Sequence, residues 1–427
     1  MAAEAEQDNY MSFVTYLRCL GCGKEYPPDQ VMNLCPEDSL PVQMCFDLEA
    51  LRKKESSDIA YRPELKSMWR FGRLMALDPG DAGDASNIFS LGEGFTPLYQ
   101  WSDNNLAKKH GFELWLKDEG RPAPGFGANP TGSFKDRGMA MVVSMARKFG
   151  LEKLAVPTQG NAGDSLAEYA AQAGLSAAIA MPVKTPMPIM GKVSAYSQLY
   201  PGISIDVVAG TIREAGQLIK EKYLPQGYFS VATFEEPGWR IDGKKTLGLE
   251  LAEPAIPFND GAWQMPDVIV YPTGGGTGIL GMWKAFNELQ TLGLTDGPMP
   301  RIIAVQSDAT APLVQAFEAG LSDSDAVEAG QTIAYGINVP GGVGHFEVLR
   351  ILRECQGTAV AVPEAEIGAA LGRVFKKTGW WICPEGAACV VAISRLVDEQ
   401  HIHPGDRVVI INTGSWEKYL PDIRHLL

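Results

Sequence analysis

From Gly138 onward, apolar positions switch repeatedly between helical spacing and short unbroken runs. Met139, Val142, Val143 and Ala146 recur at i, i+3, i+4 and i+7 and stop at Gly150, which predicts a helix before the apolar strand KLAVP. The alternation continues with helix SLAEYAAQAG, strand SAAIAMP, a helix over about 186–199, strand SIDVVAG, helix TIREAGQLIKEKY and strand YFSVAT. A second series runs through helix KKTLGLELAE, strand DVIVYP, helix ILGMWKAFNELQ, strand RIIAVQS, helix PLVQAFEAG and strand TAVAVP. It ends with a helix over about 364–378, helix EGAACVVAISRLVDE and strand RVVIINTG. Short strands without a polar face, each separated by a helix, predict parallel sheets covered on both sides. The expected fold class is α/β with two such sheets.

The first fifty residues lack this rhythm and read as short segments between turns, a small β-rich appendage. Residues 51–90 are polar and carry LDPGDAGDAS, as a linker or wrapping arm would, up to GEGFTPL where the main body begins. A length of 427 residues suits two or three domains. Composition narrows the function classes. The net charge of −14 leaves no large basic surface for a phosphate backbone, so nucleic acid is not an expected partner. An anionic metabolite would need a local pocket of Lys, Arg and backbone N–H groups. No window reaches the length of apolar run a membrane span needs, and the start, MAAEAEQDNY, is acidic where targeting peptides are basic. No membrane association and a cytoplasmic location are expected. Seven cysteines, an odd and unevenly spread set, do not form a disulfide framework and fit reducing conditions.

Four loops at strand ends carry candidate chemistry. In NPTGSFKDRG, Lys135 stands where a loop enters a helix, and the positive helix end disfavours its ammonium form; a solvated lysine is the alternative. In TQGNAGDS, residues Thr158, Gln159, Gly160, Asn161 and Ala162 offer N–H groups for a carboxylate, and Asn161 can donate to an aromatic hydroxyl. The alternative there is a turn capped by Asp164 or Ser165. In TGGGTG, residues Thr273, Gly274, Gly275, Gly276 and Thr277 let a backbone approach a phosphate ahead of a helix. Gly276, Gly278 and Gly281 also satisfy G-x-G-x-x-G, so a dinucleotide and a nicotinamide-dependent oxidoreductase compete. GWRIDGKK imitates a P-loop but has Lys245 where the magnesium-binding hydroxyl belongs. In NTGS, Thr413 can face a heterocycle nitrogen or simply turn the chain. Neither H-E-x-x-H nor G-x-S-x-G occurs.

A nucleophilic lysine, a carboxylate loop, a phosphate cradle and a neutral hydroxyl are the parts of a pyridoxal phosphate site. NPTGSFKDRG, TQGNAGDSLAEYAA, RIDGKKT, YPTGGGTGILGMWKAF and CPEGAA, in this order, resemble the threonine synthase branch of the fold type II pyridoxal phosphate enzymes. The resemblance covers about three quarters of the chain, from GEGFTPL to NTGS. It implies a Schiff base on Lys135, Asn161 at the cofactor 3'-hydroxyl, Thr273–Thr277 around its phosphate and Thr413 at its ring nitrogen. It places the substrate carboxylate on Thr158–Ala162 and a substrate phosphate on Arg240. The implied reaction converts O-phosphohomoserine and water to threonine and phosphate. The implied domains are a large cofactor-binding one, 91–137 with 235–427, and a smaller mobile one, 138–234, in a homodimer.

The same stretch departs from the family at several points. EEPGWR carries Glu235 where relatives tend to have a basic residue, PAPGFG (122–127) is inserted, Gln159 and Asp164 replace smaller residues, and Trp416 stands for a glycine. These leave open a cysteate synthase-like β-replacement on phosphoserine and a threonine or serine dehydratase. In the appendage Cys19, Cys22 and Cys35 have zinc-ribbon spacing with Asp38 where the last cysteine belongs and Cys45 as a substitute. Zinc bound there and a ribbon that has lost its metal both fit. His401 and His403 are expected to be solvated, Cys383 and Cys389 to be core thiols, and Trp380 and Trp381 to be packing aromatics.

Overall fold

The computed structural model describes residues 13–54 and 61–426. Strands β1 (Val14–Cys19), β2 (Glu25–Tyr26) and β3 (Val42–Phe46) form an antiparallel appendage in the order β2-β1-β3. Then come β4 (Leu98–Gln100), β5 (Glu113–Asp118), β6 (Lys153–Pro157), β7 (Ser176–Pro182), β8 (Ile203–Val208) and β9 (Phe229–Ser230). The last four are β10 (Val268–Pro272), β11 (Arg301–Ser307), β12 (Thr358–Val362) and β13 (Arg407–Asn412). A six-stranded sheet has the order β12-β11-β10-β13-β5-β4 and a four-stranded one the order β8-β7-β6-β9.

Alternate residues of one strand feed different cores, which is why these runs have no polar face. Ile269 and Tyr271 of β10 join the core under helices Lys135–Lys148, Trp239–Ala252 and Thr277–Thr291, while Val268 and Val270 join that under Glu364–Thr378 and Pro384–Asp398. The smaller sheet divides likewise, Ile179 and Met181 to one side and Ala178 and Ala180 to the other. The larger sheet is not wholly parallel as expected. β4 pairs antiparallel to β5, across a connection that holds only the short helix Asn105–His110.

Of two further expectations, one is narrowed and one corrected. Within the segment read as a linker or arm, Met68, Trp69, Phe71 and Leu74–Leu77 are buried, and Ala76 N–H donates to Asp242 Oδ2 at 2.9 Å; it is a packed arm. The helix expected from Lys244 begins at Trp239, so the P-loop-like spacing lies in a helix and binds no nucleotide in a loop. Every residue of Trp239–Ala252 is buried, between the helices Lys135–Lys148 and Thr277–Thr291. Glycine permits the approach: a Cβ on Gly243 would fall 2.1 Å from Arg137 O, and one on Gly281 would fall 2.9 Å from Lys244 C. The appendage docks where this helix begins, with Asn33 Nδ2 donating to Ser230 O at 3.0 Å and Glu235 O at 2.6 Å.

Candidate active site

The site gathers at the carboxyl ends of β6, β10 and β13, where open α/β sheets expose their loops. Lys135 is the first residue of its helix. The preceding turn closes on the Asp136 carboxylate, which accepts from Thr131 N–H at 2.7 Å, Thr131 Oγ1 at 2.6 Å and Ser165 Oγ at 2.6 Å. The Lys135 amine, 4.4 Å from the Phe134 ring centroid, is half-buried. Burial and the Arg240 guanidinium lower it to about 7 against the pull of the Glu385 carboxylate.

A narrow cavity is bordered by Lys135, Asn161, Gly274, Gly275, Gly276, Thr277 and Thr413, seven of the eight residues expected to hold the cofactor. The eighth, Thr273, stands behind it. Its N–H donates to Val305 O at 2.8 Å and its hydroxyl to Tyr271 O at 2.9 Å, so both are spent inside the sheet. The glycine loop is braced from outside: buried His345 has Nε2 2.9 Å from Gly274 O and Nδ1 2.6 Å from Ser324 Oγ. Burial holds that imidazole below its usual range, hence neutral, with one nitrogen to donate and one to accept. The sequence reading did not include His345.

A wider cleft of about 1080 Å³ adjoins, bordered by Lys135, Thr158, Gln159, Gly160, Asn161, Ala162 and Arg240, so the expected substrate residues all meet there. Neither Asp164 nor Ser165 caps the helix. It starts at Asn161 after Gly160, and Thr158 Oγ1 accepts from Gly160 N–H at 3.0 Å and Gly163 N–H at 3.2 Å. Asp164 instead pairs with Lys192 at 3.1 Å and Lys418 at 2.7 Å. Asn161 is gripped from the C-terminal side, donating to Tyr419 OH at 3.1 Å and accepting from Lys418 Nζ at 2.8 Å.

Arg240 is buried, donates from Nη1 to Val231 O at 2.9 Å, and leaves Nε without a partner. Glu235 borders the same cleft, half-buried, and accepts from Ser230 Oγ at 2.8 Å. Trp416 turns away into an aromatic stack, 4.3 Å from Trp381, which lies 3.7 Å from Phe375. Cys383 and Cys389 are buried and His403 is exposed, as expected, while His401 is half-buried.

Glu385 and Tyr419 border the narrow cavity and were not singled out from sequence. Glu385 accepts from Gly336 N–H at 2.7 Å, and burial raises its carboxyl above the usual range. Its one sequence signal was its place in CPEGAA. Tyr419 had none beyond its nearness to NTGS.

The donor set fits pyridoxal phosphate: a low-pKa amine, a glycine loop at the N-terminus of a fifteen-residue helix, and a neutral hydroxyl bordering the same cavity. Residues 89–414 match the model of the family described as pyridoxal-phosphate dependent enzyme, and the chain belongs to that family. Among its relatives are the threonine synthases of Methanocaldococcus jannaschii and Methanosarcina acetivorans, each 30% identical over 93% of this chain and 91% of theirs. They place the chain in the threonine synthase branch. The fold is shared with processed threonine deaminase isoform 2 from Solanum lycopersicum, at a TM-score of 0.60 and 21% identity over 78% of this chain and 83% of that one.

Proposed function

We propose that this enzyme converts O-phosphohomoserine and water to threonine and phosphate. The observation that carries the reading is Arg240, a buried guanidinium with an unpartnered Nε in the cleft that also holds Lys135. Bound pyridoxal phosphate supplies the electron sink for charge that develops on the substrate carbons. Lys135, Asn161, the Gly274–Thr277 loop and Thr413 would hold it. A hydroxyl rather than a carboxylate at Thr413 would leave the ring nitrogen unprotonated and the sink moderate, which suits elimination and replacement. In the Thr158–Ala162 loop the N–H groups of Gln159, Asn161 and Ala162 bind the substrate carboxylate at a helix N-terminus, those of Thr158 and Gly160 being bonded to Ala180 O and Thr158 Oγ1. Arg240 holds the substrate phosphate and stabilises its charge as it leaves Cγ. The Lys135 amine takes the proton from Cα and then one from Cβ, whose electron pair lets phosphate leave Cγ, and it returns protons to Cγ and Cα as water adds at Cβ, all within its reach once the cleft is closed to bulk water.

The test is phosphate release and product analysis with O-phosphohomoserine, on wild type and Arg240→Ala. Stoichiometric threonine and phosphate are expected, with KM raised about 10- to 100-fold in the variant. Glu235 favours a second reading, elimination from an uncharged hydroxy-amino acid. A protein that makes a keto acid from threonine or serine and ignores O-phosphohomoserine would establish that one.

The appendage is proposed to bind zinc through Cys19, Cys22, Cys35 and Asp38, whose ligand atoms lie within 4.8 Å of one another. Cys22 Sγ and Cys35 Sγ are 3.7 Å apart. That is the edge of a tetrahedron with Zn–S bonds of about 2.3 Å. Cys45, the sequence substitute, is outside the group. Purified protein should carry about one zinc per chain, lost in Cys22→Ser, with Tm lowered by only a few degrees because the appendage unfolds locally. Metal-free protein whose Tm ignores added zinc and chelator alike would leave the ribbon reading without a metal.

A further inference from the structure

Lys244 is fully buried on the helix Trp239–Ala252, and its Nζ donates to Thr277 Oγ1 at 2.5 Å. Among the described residues no carboxylate lies within ion-pair distance of it. Its neighbour Lys245, equally buried, shows the ordinary solution: ion pairs of 2.9 Å to Asp242 and 2.9 Å to Glu288. An uncompensated ammonium in the interior is unfavourable. Its charged surroundings make it more so, for Lys135 and Arg240 repel it while Glu236 alone attracts it. Lys244 lacks an anion.

Its hydroxyl partner indicates where that anion belongs. Thr277 opens the helix Thr277–Thr291 and borders the narrow cavity together with Gly274, Gly275 and Gly276. Lys244 borders neither cavity directly and stands behind Thr277, which lines the narrow one, whereas Arg240 borders the wider cleft. The two cations thus serve different ends of the site. We propose that Lys244 is the counter-ion of the cofactor 5'-phosphate, reaching it beside the Thr277 hydroxyl. This rests on the assignment of the glycine loop to that phosphate. Burial, then Lys135 and Arg240, push the amine well below the usual lysine range in the cofactor-free protein, so the arriving dianion draws a proton onto it.

The experiment titrates cofactor-free protein with pyridoxal 5'-phosphate and, separately, with pyridoxal, following the visible band and tryptophan fluorescence. Lys244→Gln and Lys244→Ala should weaken the phosphorylated ligand about 10- to 100-fold and leave pyridoxal within about twofold. Equal weakening of both ligands, or of neither, overturns the proposal. Wild type that binds pyridoxal as tightly as pyridoxal 5'-phosphate would instead refute the phosphate cradle itself. Should neither variant fold, wild-type calorimetry at about pH 8 in buffers of different ionisation enthalpy decides. Pyridoxal 5'-phosphate should then take up close to one proton more than pyridoxal, and equal uptake rejects the assignment.

Discussion

Lys135→Ala is expected to abolish the visible band of the cofactor-loaded protein and to lower turnover by about 10⁴-fold or more. In the proposed reaction the same amine would hold the cofactor covalently and move the Cα proton, so no other group would inherit either task. Lys244, whose amine feels the charge of Lys135, is fully buried behind Thr277. The placement also predicts a pH dependence. An ordinary lysine is protonated at neutrality, whereas burial and Arg240 bring this one to about 7. In the cofactor-free protein its labelling by an amine reagent should therefore rise with pH, level off above about 7 to 8, and fall below as the amine is protonated. A Lys135→Ala protein that stays yellow and active would remove Lys135 from the mechanism.

Arg137→Met is expected to destabilise the fold by about 3–5 kcal/mol. Two residues beyond Lys135, Arg137 pairs through Nε with Glu119 Oε2 at 2.7 Å and through Nη1 with Glu250 Oε1 at 2.7 Å. Lys117 Nζ lies 2.7 Å from Glu250 Oε2. All four side chains are almost wholly buried. Losing the arginine leaves two interior carboxylates sharing one lysine. Burial acts to raise both carboxyls, but Arg137 and Lys117 more than offset it and hold Glu119 and Glu250 below the usual range. With the folded values depressed, this stabilisation is complete above the unfolded glutamate value of about 4.5 and is lost as pH falls through the folded ones. Denaturant unfolding of the variant at neutral pH measures the effect. A loss below about 1 kcal/mol would mean that the interior repacks or admits water.

That network also marks where pattern reading stopped. Strand β5, between β13 and the edge strand β4 in the larger sheet, has no clear strand pattern because Glu113, Lys117 and Asp118 make ELWLKD look like surface. Lys117 is buried only because Glu250, 133 residues along the chain, comes to meet it. The helix Trp239–Ala252 was begun five residues late for the same reason: Arg240, Asp242 and Lys244 look polar, and their partners are distant in sequence. Conversely, KLAVP, SAAIAMP and RIIAVQS were delimited correctly, because an apolar run flanked by turn residues is a local signal.

By itself, the sequence determined the α/β class, most of the order of strands and helices after Gly138, and a lysine, a TQGNAGDS loop, a glycine loop and a hydroxyl loop at strand ends. Each depends on spacing within about ten to fifteen residues, the range over which period and turn chemistry act. Only the tertiary structure decided which polar groups reach the cavity. It turned the Thr273 hydroxyl into the sheet, placed Asn161 between Tyr419 and Lys418, brought Glu385 to the lysine, and left Lys244 buried without a counter-charge. A buried charge is tolerated or costly according to what stands within a few ångströms, and those neighbours come from parts of the chain that no local pattern connects.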